Sequence, residues 1–257
     1  MTIPAFKKII EYEIQNFESS LEYFEDIISW AERIKHLLHV TKFNRSIFEY
    51  FLLCHILHNS YLNAILLAMK GYIFHSYAVC RLGVESFINL AIIECHKDEH
   101  FKIWKGYNYT KRDHKDWNHI KKKYDKIFRD KRKSHDYSSF LRDNEKIRIF
   151  SSWEMLSNMG SHSSYMQSMF SLNISDPKNL KSGLFDVEMK DKTLIGRVLL
   201  WIIDTYFTMA NPLSDILERN NLSLNTPNDK IDKMIIEWNE FKLKKAKDFN
   251  IDLNKYL

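Results

Sequence analysis

The chain has 257 residues, 45% of them apolar and 14% aromatic, which is enough to bury a sizeable core and too apolar for a disordered chain. Six Gly and four Pro are few for a turn-rich all-β fold. The formal charge is +5, but residues 111–133 hold eleven Lys or Arg against four Asp, leaving the rest of the chain near neutral. A block of that kind either attracts phosphate polyanions or forms a solvated face.

The first element is an amphipathic helix within residues 5–40. Ile9, Ile10, Ile14, Phe17, Leu21, Phe24, Ile27, Ile28, Ala31, Ile34 and Leu37 recur there at three- and four-residue steps. "TKFNRS" breaks the pattern. Two further runs, from about Ile47 to Met69 and from 72 to 95, are apolar on most sides and separated by Gly71. That predicts two antiparallel helices in the interior of a bundle. Cys54, Cys80 and Cys95 form no CxxC pair and lie in these apolar stretches, which predicts reduced, buried thiols and a cytoplasmic compartment. No apolar run approaches the roughly 20 residues of a membrane span, and "MTIPAFKKIIEYEIQ" lacks a signal-peptide core, so no membrane is expected.

After Cys95 the composition turns charged. A short helix is followed by a basic excursion over 111–133, and then by a further inner helix within "YSSFLRDNEKIRIFSSWEMLSNMGSH". Ser175 to Lys192 reads as a loop with one short extended piece. "TLIGRVLLWIIDTYFTMANPLSDIL" reads as an inner helix that stops near Asn211-Pro212, where proline removes a donor. Residues 228–248 form an amphipathic, more exposed helix. The expected fold is one all-α helical bundle, with a core of about 45–210 and flanking helices over 5–40 and 228–248.

Two stretches carry chemistry. In "HSYAVCRLGVESFINLAII", Tyr77, Arg81, Glu85 and Asn89 stand at successive four-residue steps, a polar stripe on an otherwise apolar helix. Charges on an inner helix cost several kcal/mol each unless paired, so the stripe either seals a structural network or lines a site. In "SNMGSHSS", Ser157, Ser161 and His162 fall close to one helical face, and Gly160 admits a close backbone approach. An imidazole beside hydroxyls suits proton transfer or phosphate binding. The alternative reading has Gly160 ending the helix, with Ser161 or Ser163 capping the next.

"CRLGVESFINLAIIECHKDEHFKIWKGYN" resembles the Arg-x-x-x-Glu helix, followed by a charged segment ending in an aromatic, of a broad set of bacterial helical proteins. "WEMLSNMGSHSS" resembles the Leu-Ser-x-x-x-x-His segment of the same set. These proteins are similar to the HEPN superfamily (higher eukaryotes and prokaryotes nucleotide-binding), over residues 45 to 210. The resemblance implies a helical bundle, often dimeric, and hence a homodimer in a bacterial defence or stress system, with an antitoxin or defence-system component as a protein partner. It also implies a metal-independent ribonuclease or an RNA- or nucleotide-binding protein. The Arg-x(4–6)-His motif of ribonucleolytic members is offered by Arg129 and His135, with Asp130 second, and by Arg112 and His119. Both pairs lie in the basic block rather than on an inner helix, which leaves Arg81, Glu85, Ser157 and His162 as the better-placed catalytic set. Tyr77 and Asn89, with Arg129 and His135, stand as secondary candidates. In such chemistry a His moves the proton of the 2′-hydroxyl or the leaving oxygen while an Arg stabilises the phosphorane.

Lys111, Arg112, Lys115, Lys121, Lys122, Lys123, Lys126 and Arg132 are the expected nucleic-acid contacts. Trp104, Tyr107, Tyr109, Trp117 and Tyr124 interleave with them, either to stack on bases or to anchor the segment to the bundle. His55 with His58, and His96 with His100, have helical spacing, but no paired Glu-x-x-His or HExxH motif accompanies them, so no metal or cofactor is expected. The alternative to a nucleic-acid function is a non-catalytic helical module that binds a partner protein or small ligand, the polar stripe only setting the register of the helices.

Overall fold

The computed structural model describes residues 11, 14, 15, 17–40, 48–131, 141–160, 191–249 and 251. The fold is all-α. Among the described residues it comprises α1 (Glu25–Leu37), α2 (Phe48–Met69), α3 (Ile73–Cys95), α4 (Lys97–Tyr109), α5 (Trp117–Tyr124) running into a π-helical turn (Asp125–Arg129), α6 (Asp143–Gly160), α7 (Lys192–Glu218) and α8 (Asn228–Asp248). The one extended pairing among them is a single antiparallel bridge between Val40 and Leu224.

The hairpin of α2 and α3 turns at Gly71, whose φ of 83° lies in the left-handed region that glycine adopts without steric cost. Helix α3 is the centre of the bundle, packed by α2, α4, α6 and α7. Its Cys80, Val84, Phe87, Ile88, Leu90 and Ala91 are wholly buried. Gly83 is required where α3 meets α2 and α7. A methyl there would stand on the Tyr206 hydroxyl, 3.0 Å from Tyr206 Cζ and 3.2 Å from Ser60 Cβ.

Helix α7 is the second inner helix. Asp191 caps it, accepting from Thr193 N at 2.9 Å and Leu194 N at 3.3 Å. The sequence predicts its end at Asn211-Pro212, yet it continues to Glu218. An interior proline costs about 3 kcal/mol. Leu213, Ile216 and Leu217 beyond it are fully buried, and at roughly 1.5–3 kcal/mol each their burial outweighs that cost. Helices α1 and α8 flank α7 through an aromatic knot in which Trp238 stacks on Phe207 at 5.5 Å and meets Trp30 edge-on at 5.6 Å. Outside it, the Arg33 guanidinium lies 3.8 Å over Trp30 and pairs with Glu237 at 2.7 Å.

Other expectations meet corrections. The helix within 5–40 is not regular throughout: at Phe24 the backbone leaves helical geometry (φ −108°, ψ 20°), although Phe24 N still donates to Ser20 O and Ile28 N to Phe24 O. The turn seats the Phe24 ring in the core, 6.2 Å from Phe249. Cys54 and Cys80 are buried, and burial alone pushes the Cys54 thiol up to about 12, but Cys95 is half-exposed. Helix α3 is interior over most of its surface, with Leu82 its one exposed large apolar residue. Helix α2 is not: one side of it faces solvent, with Leu66 44% exposed. Helix α6 is amphipathic rather than inner, with Ile149, Leu156 and Ser157 buried and Ile147 exposed.

Two described helices, Tyr50–Met69 and Lys192–Glu218, are long and apolar enough to cross a membrane by length and composition, a test that the core helix of a bundle also passes. The second is 67% buried within the protein.

Candidate functional site

The polar stripe of α3 faces α6. Arg81 Nε donates to Glu85 Oε1 at 2.9 Å, as the four-residue spacing predicts. The same carboxylate oxygen accepts from Trp153 Nε1 of α6 at 3.0 Å, and the Arg81 guanidinium carbon lies 5.9 Å over the Trp153 ring. The side chains of Arg81 and Glu85 are only 24% and 21% exposed. Helix α6 thereby covers the pair, and the geometry is that of a polar clamp between two helices. Tyr77, at the start of the stripe, is buried edge-on to Trp201 of α7 at 5.7 Å. Asn89, at its end, has a buried Oδ1 with no hydrogen-bond partner among the described residues. Ser157 lies on α6 one turn beyond Trp153 and is buried. The structure therefore brings Arg81 and Glu85 together, with Trp153 as the member that sequence reasoning missed. His162, Ser161, Arg132 and His135 lie outside the described residues.

Two further polar knots were not anticipated. Glu94, its side chain 3% exposed, accepts from Tyr50 Oη at 3.1 Å and Asn220 Nδ2 at 2.9 Å, with Lys97 Nζ 3.3 Å away. Burial, and then the Glu94 charge, hold the Tyr50 phenol well above its usual range. Asp204 of α7 accepts from Trp238 Nε1 at 3.0 Å and Lys242 Nζ at 2.6 Å on Oδ1, and from Arg148 on Oδ2 at 3.1 Å. Each is a lone acid in an apolar run, "LAIIEC" and "LWIIDTYF". That signal marks a carboxylate held by partners, buried at Glu94 and 23% exposed at Asp204, because an acid is almost never buried unless it is paired.

The basic block is folded back on the bundle by aromatic stacking. Tyr107 lies parallel to Tyr124 at 3.8 Å and to Trp117 at 5.1 Å, and Tyr124 stacks in turn on Phe128 at 4.8 Å. Trp104, Tyr124 and Phe128 are buried. Of the five interleaved aromatics only Tyr109 is largely exposed, at 59%. Arg129 sits exposed on the π-helical turn, and Lys111, Arg112, Lys115, Lys121, Lys122, Lys123 and Lys126 are all exposed. Between α4 and α5 the loop borders an open, shallow cleft of about 710 Å³, lined by Tyr109, Thr110, Lys111, Asp113, His114, Lys115 and Ile120. One aromatic ring, two ammonium groups and the Asp113 carboxylate border it, so its lining carries one net positive charge beside a ring on which an unpaired base can stack. His114 Nδ1 lies 3.7 Å from Asp116 at its mouth.

In each histidine pair one ring is exposed, His55 and His96, and the other is buried or half-buried. His100 is buried, its Nδ1 2.6 Å from Ile92 O, and its ring meets that of His96 edge-on at 4.8 Å. Burial holds His100 below its usual value. His58 is held down in the same way by burial and by the nearby His39, His55 and Lys35. No protein-family model, curated protein or solved structure matches the chain.

Proposed function

We propose that this is a HEPN-like protein of a bacterial defence or stress system that binds RNA or a nucleotide, with the α4–α5 cleft and its surrounding cations as the recognition surface. The observation that carries this reading is the cleft itself. It is the place where exposed Lys111 and Lys115 border an open cleft beside the largely exposed ring of Tyr109. The four stacked aromatics hold that surface in one geometry, so phosphate contacts do not have to order it first. The Arg81–Glu85 stripe serves in this reading as the clamp that fixes α3 against α6, and any ribonuclease activity rests on His162.

Fluorescence anisotropy with a labelled single-stranded RNA tests the surface. Binding should weaken with salt, and the Lys111→Gln, Lys115→Gln double variant should lower the slope of log K against log salt by about 1.4, or 0.7 for each lost phosphate contact. An unchanged affinity and slope would remove the cleft from the function. Induced expression of the wild type and of His162→Ala, with growth and total RNA integrity followed together, tests catalysis. Cleavage that requires His162 identifies a nuclease. Intact RNA from well-folded protein, together with unchanged anisotropy, favours the second reading, a non-catalytic helical module. The covered Arg81–Glu85–Trp153 arrangement supports that second reading.

A further inference from the structure

The aromatic ladder that fastens the basic arm ends on a ring that can take up a proton. Beyond Phe128 of the π-helical turn, which is wholly buried, stands His100 of α4, its ring 6.2 Å away and tilted by 58°. His100 is only 4% exposed. Its Nδ1 lies 2.6 Å from Ile92 O of α3. A carbonyl can only accept, so the neutral ring carries its proton on Nδ1 and donates it there. His100 therefore sits where three elements meet: the carboxyl-terminal half of α3, its own helix α4, and the turn that ends the arm.

A second proton goes to Nε2 and puts a full charge into that junction. Burial disfavours the charged ring most. His96 at the head of α4, its ring 4.8 Å away, and Lys131 beyond the π-helical turn add repulsion, which the Ile92 carbonyl and Glu99 offset only in part. Glu99 is exposed and is the chain neighbour of His100, and adjacent residues on a helix do not face each other. The Phe128 ring does not compensate either. A cation gains over an aromatic face within about 6 Å, and this ring is farther away and tilted. His114 and His119 differ, because both are exposed and gain a proton without leaving water.

From this placement we infer that His100 is a proton-operated latch for the basic arm: the neutral ring lets Phe128 seat against the bundle, and the protonated ring releases the π-helical turn and α5. Ile120 of α5 lines the α4–α5 cleft, so release dismantles the cleft instead of merely recharging it. The consequence for ligand binding rests on the cleft reading proposed above; the latch itself does not. Burial holds the docked ring below its ordinary 6.5. Docking is therefore at full strength above about pH 6.5 and weakens as the pH falls, by up to about tenfold per pH unit, until the docked value is passed. Acid thus loosens the grip on a polyanion, the opposite of what added positive charge alone would do.

The test is amide hydrogen exchange of the full chain, read by mass spectrometry from about pH 7.5 to about pH 5 and corrected for the intrinsic pH dependence of exchange. Peptides within residues 117–129 should lose protection by up to about tenfold per pH unit below about pH 6.5, while those of α3 keep theirs. His100→Asn retains an amide donor for Ile92 O and cannot take up a proton, so its arm should stay protected throughout. Should that variant fail to fold, Glu99→Gln decides: it removes the offsetting negative charge, and release should begin at a higher pH than in the wild type. An arm that stays protected at about pH 5, a loss shared with α3, the same loss in His100→Asn, or no shift in Glu99→Gln overturns the latch. Anisotropy with single-stranded RNA over the same pH range keeps the two readings apart. Affinity should fall with acid in the wild type and hold in His100→Asn. No binding at any pH refutes the cleft, and the exchange result still decides the latch.

Discussion

Gly83→Ala is a one-methyl change whose outcome follows from the packing of α3. In an ordinary helix interior the change gains about 1 kcal/mol of backbone stability. Here the methyl lands on the Tyr206 hydroxyl, with Tyr206 Cζ at 3.0 Å and Ser60 Cβ at 3.2 Å. Tyr206 is fully buried and its ring lies 4.6 Å from that of Tyr61, so it has nowhere to retreat without moving a second buried aromatic. Overpacking of this kind costs about 1–3 kcal/mol. With the clash at the upper end, because a ring and a helix backbone must both shift, the net loss is about 1–2 kcal/mol. For a chain of this size that lowers Tm by roughly 2–8 °C in a thermal unfolding scan. Tyr206→Phe removes the atom that the methyl meets, so Gly83→Ala should cost clearly less in a Tyr206→Phe background, and a double-mutant cycle should give a favourable coupling. An unchanged or raised Tm for the single variant, or no coupling, would refute the close approach of α3 and α7 at this point.

Arg81→Ala should destabilise by about 1–2 kcal/mol in urea unfolding, because Glu85 loses its guanidinium while about four-fifths covered. Arg81→Met, which keeps the packing on Trp153, should cost less, and equal losses would show that packing on Trp153 contributes nothing. Stability should also fall below neutral pH. His58 and His100 titrate below the usual 6.5 in the folded state, so the unfolded chain takes up their protons first. Their contribution is fully present above about pH 6.5 and is lost as pH falls through the lower folded values. A Tm that stays flat from pH 7.5 to 5 would contradict this.

How much could be read from the residues alone depends on the range of the interaction involved. The α3 stripe was visible because Tyr77, Arg81, Glu85 and Asn89 are four apart on one helix, and helical spacing is a local property. Trp153, which covers the stripe, was not visible, because its position depends on how α6 slides along α3. The same holds for Glu94, whose donors come from Tyr50 and Asn220, 44 and 126 residues away. At Pro212 a correct local rule lost to burial of the turn that follows it. For the basic block, the interleaved aromatics already offered anchoring to the bundle as one reading, and the buried Trp104 and Tyr124 follow it, whereas which rings stack on which depends on contacts that spacing does not encode.

The aromatic ladder also separates the arm energetically from the bundle. Helices α2 and α3 share a broad interface formed by chain neighbours, whereas α5 is held chiefly through α4 and the π-helical turn. Breaking the stack of Tyr107 on Tyr124 and Trp117 forfeits a few aromatic contacts of about 0.5–1.5 kcal/mol each, far less than opening the core. Loss of that stack would therefore cost the arm its fixed geometry before it cost the bundle its core.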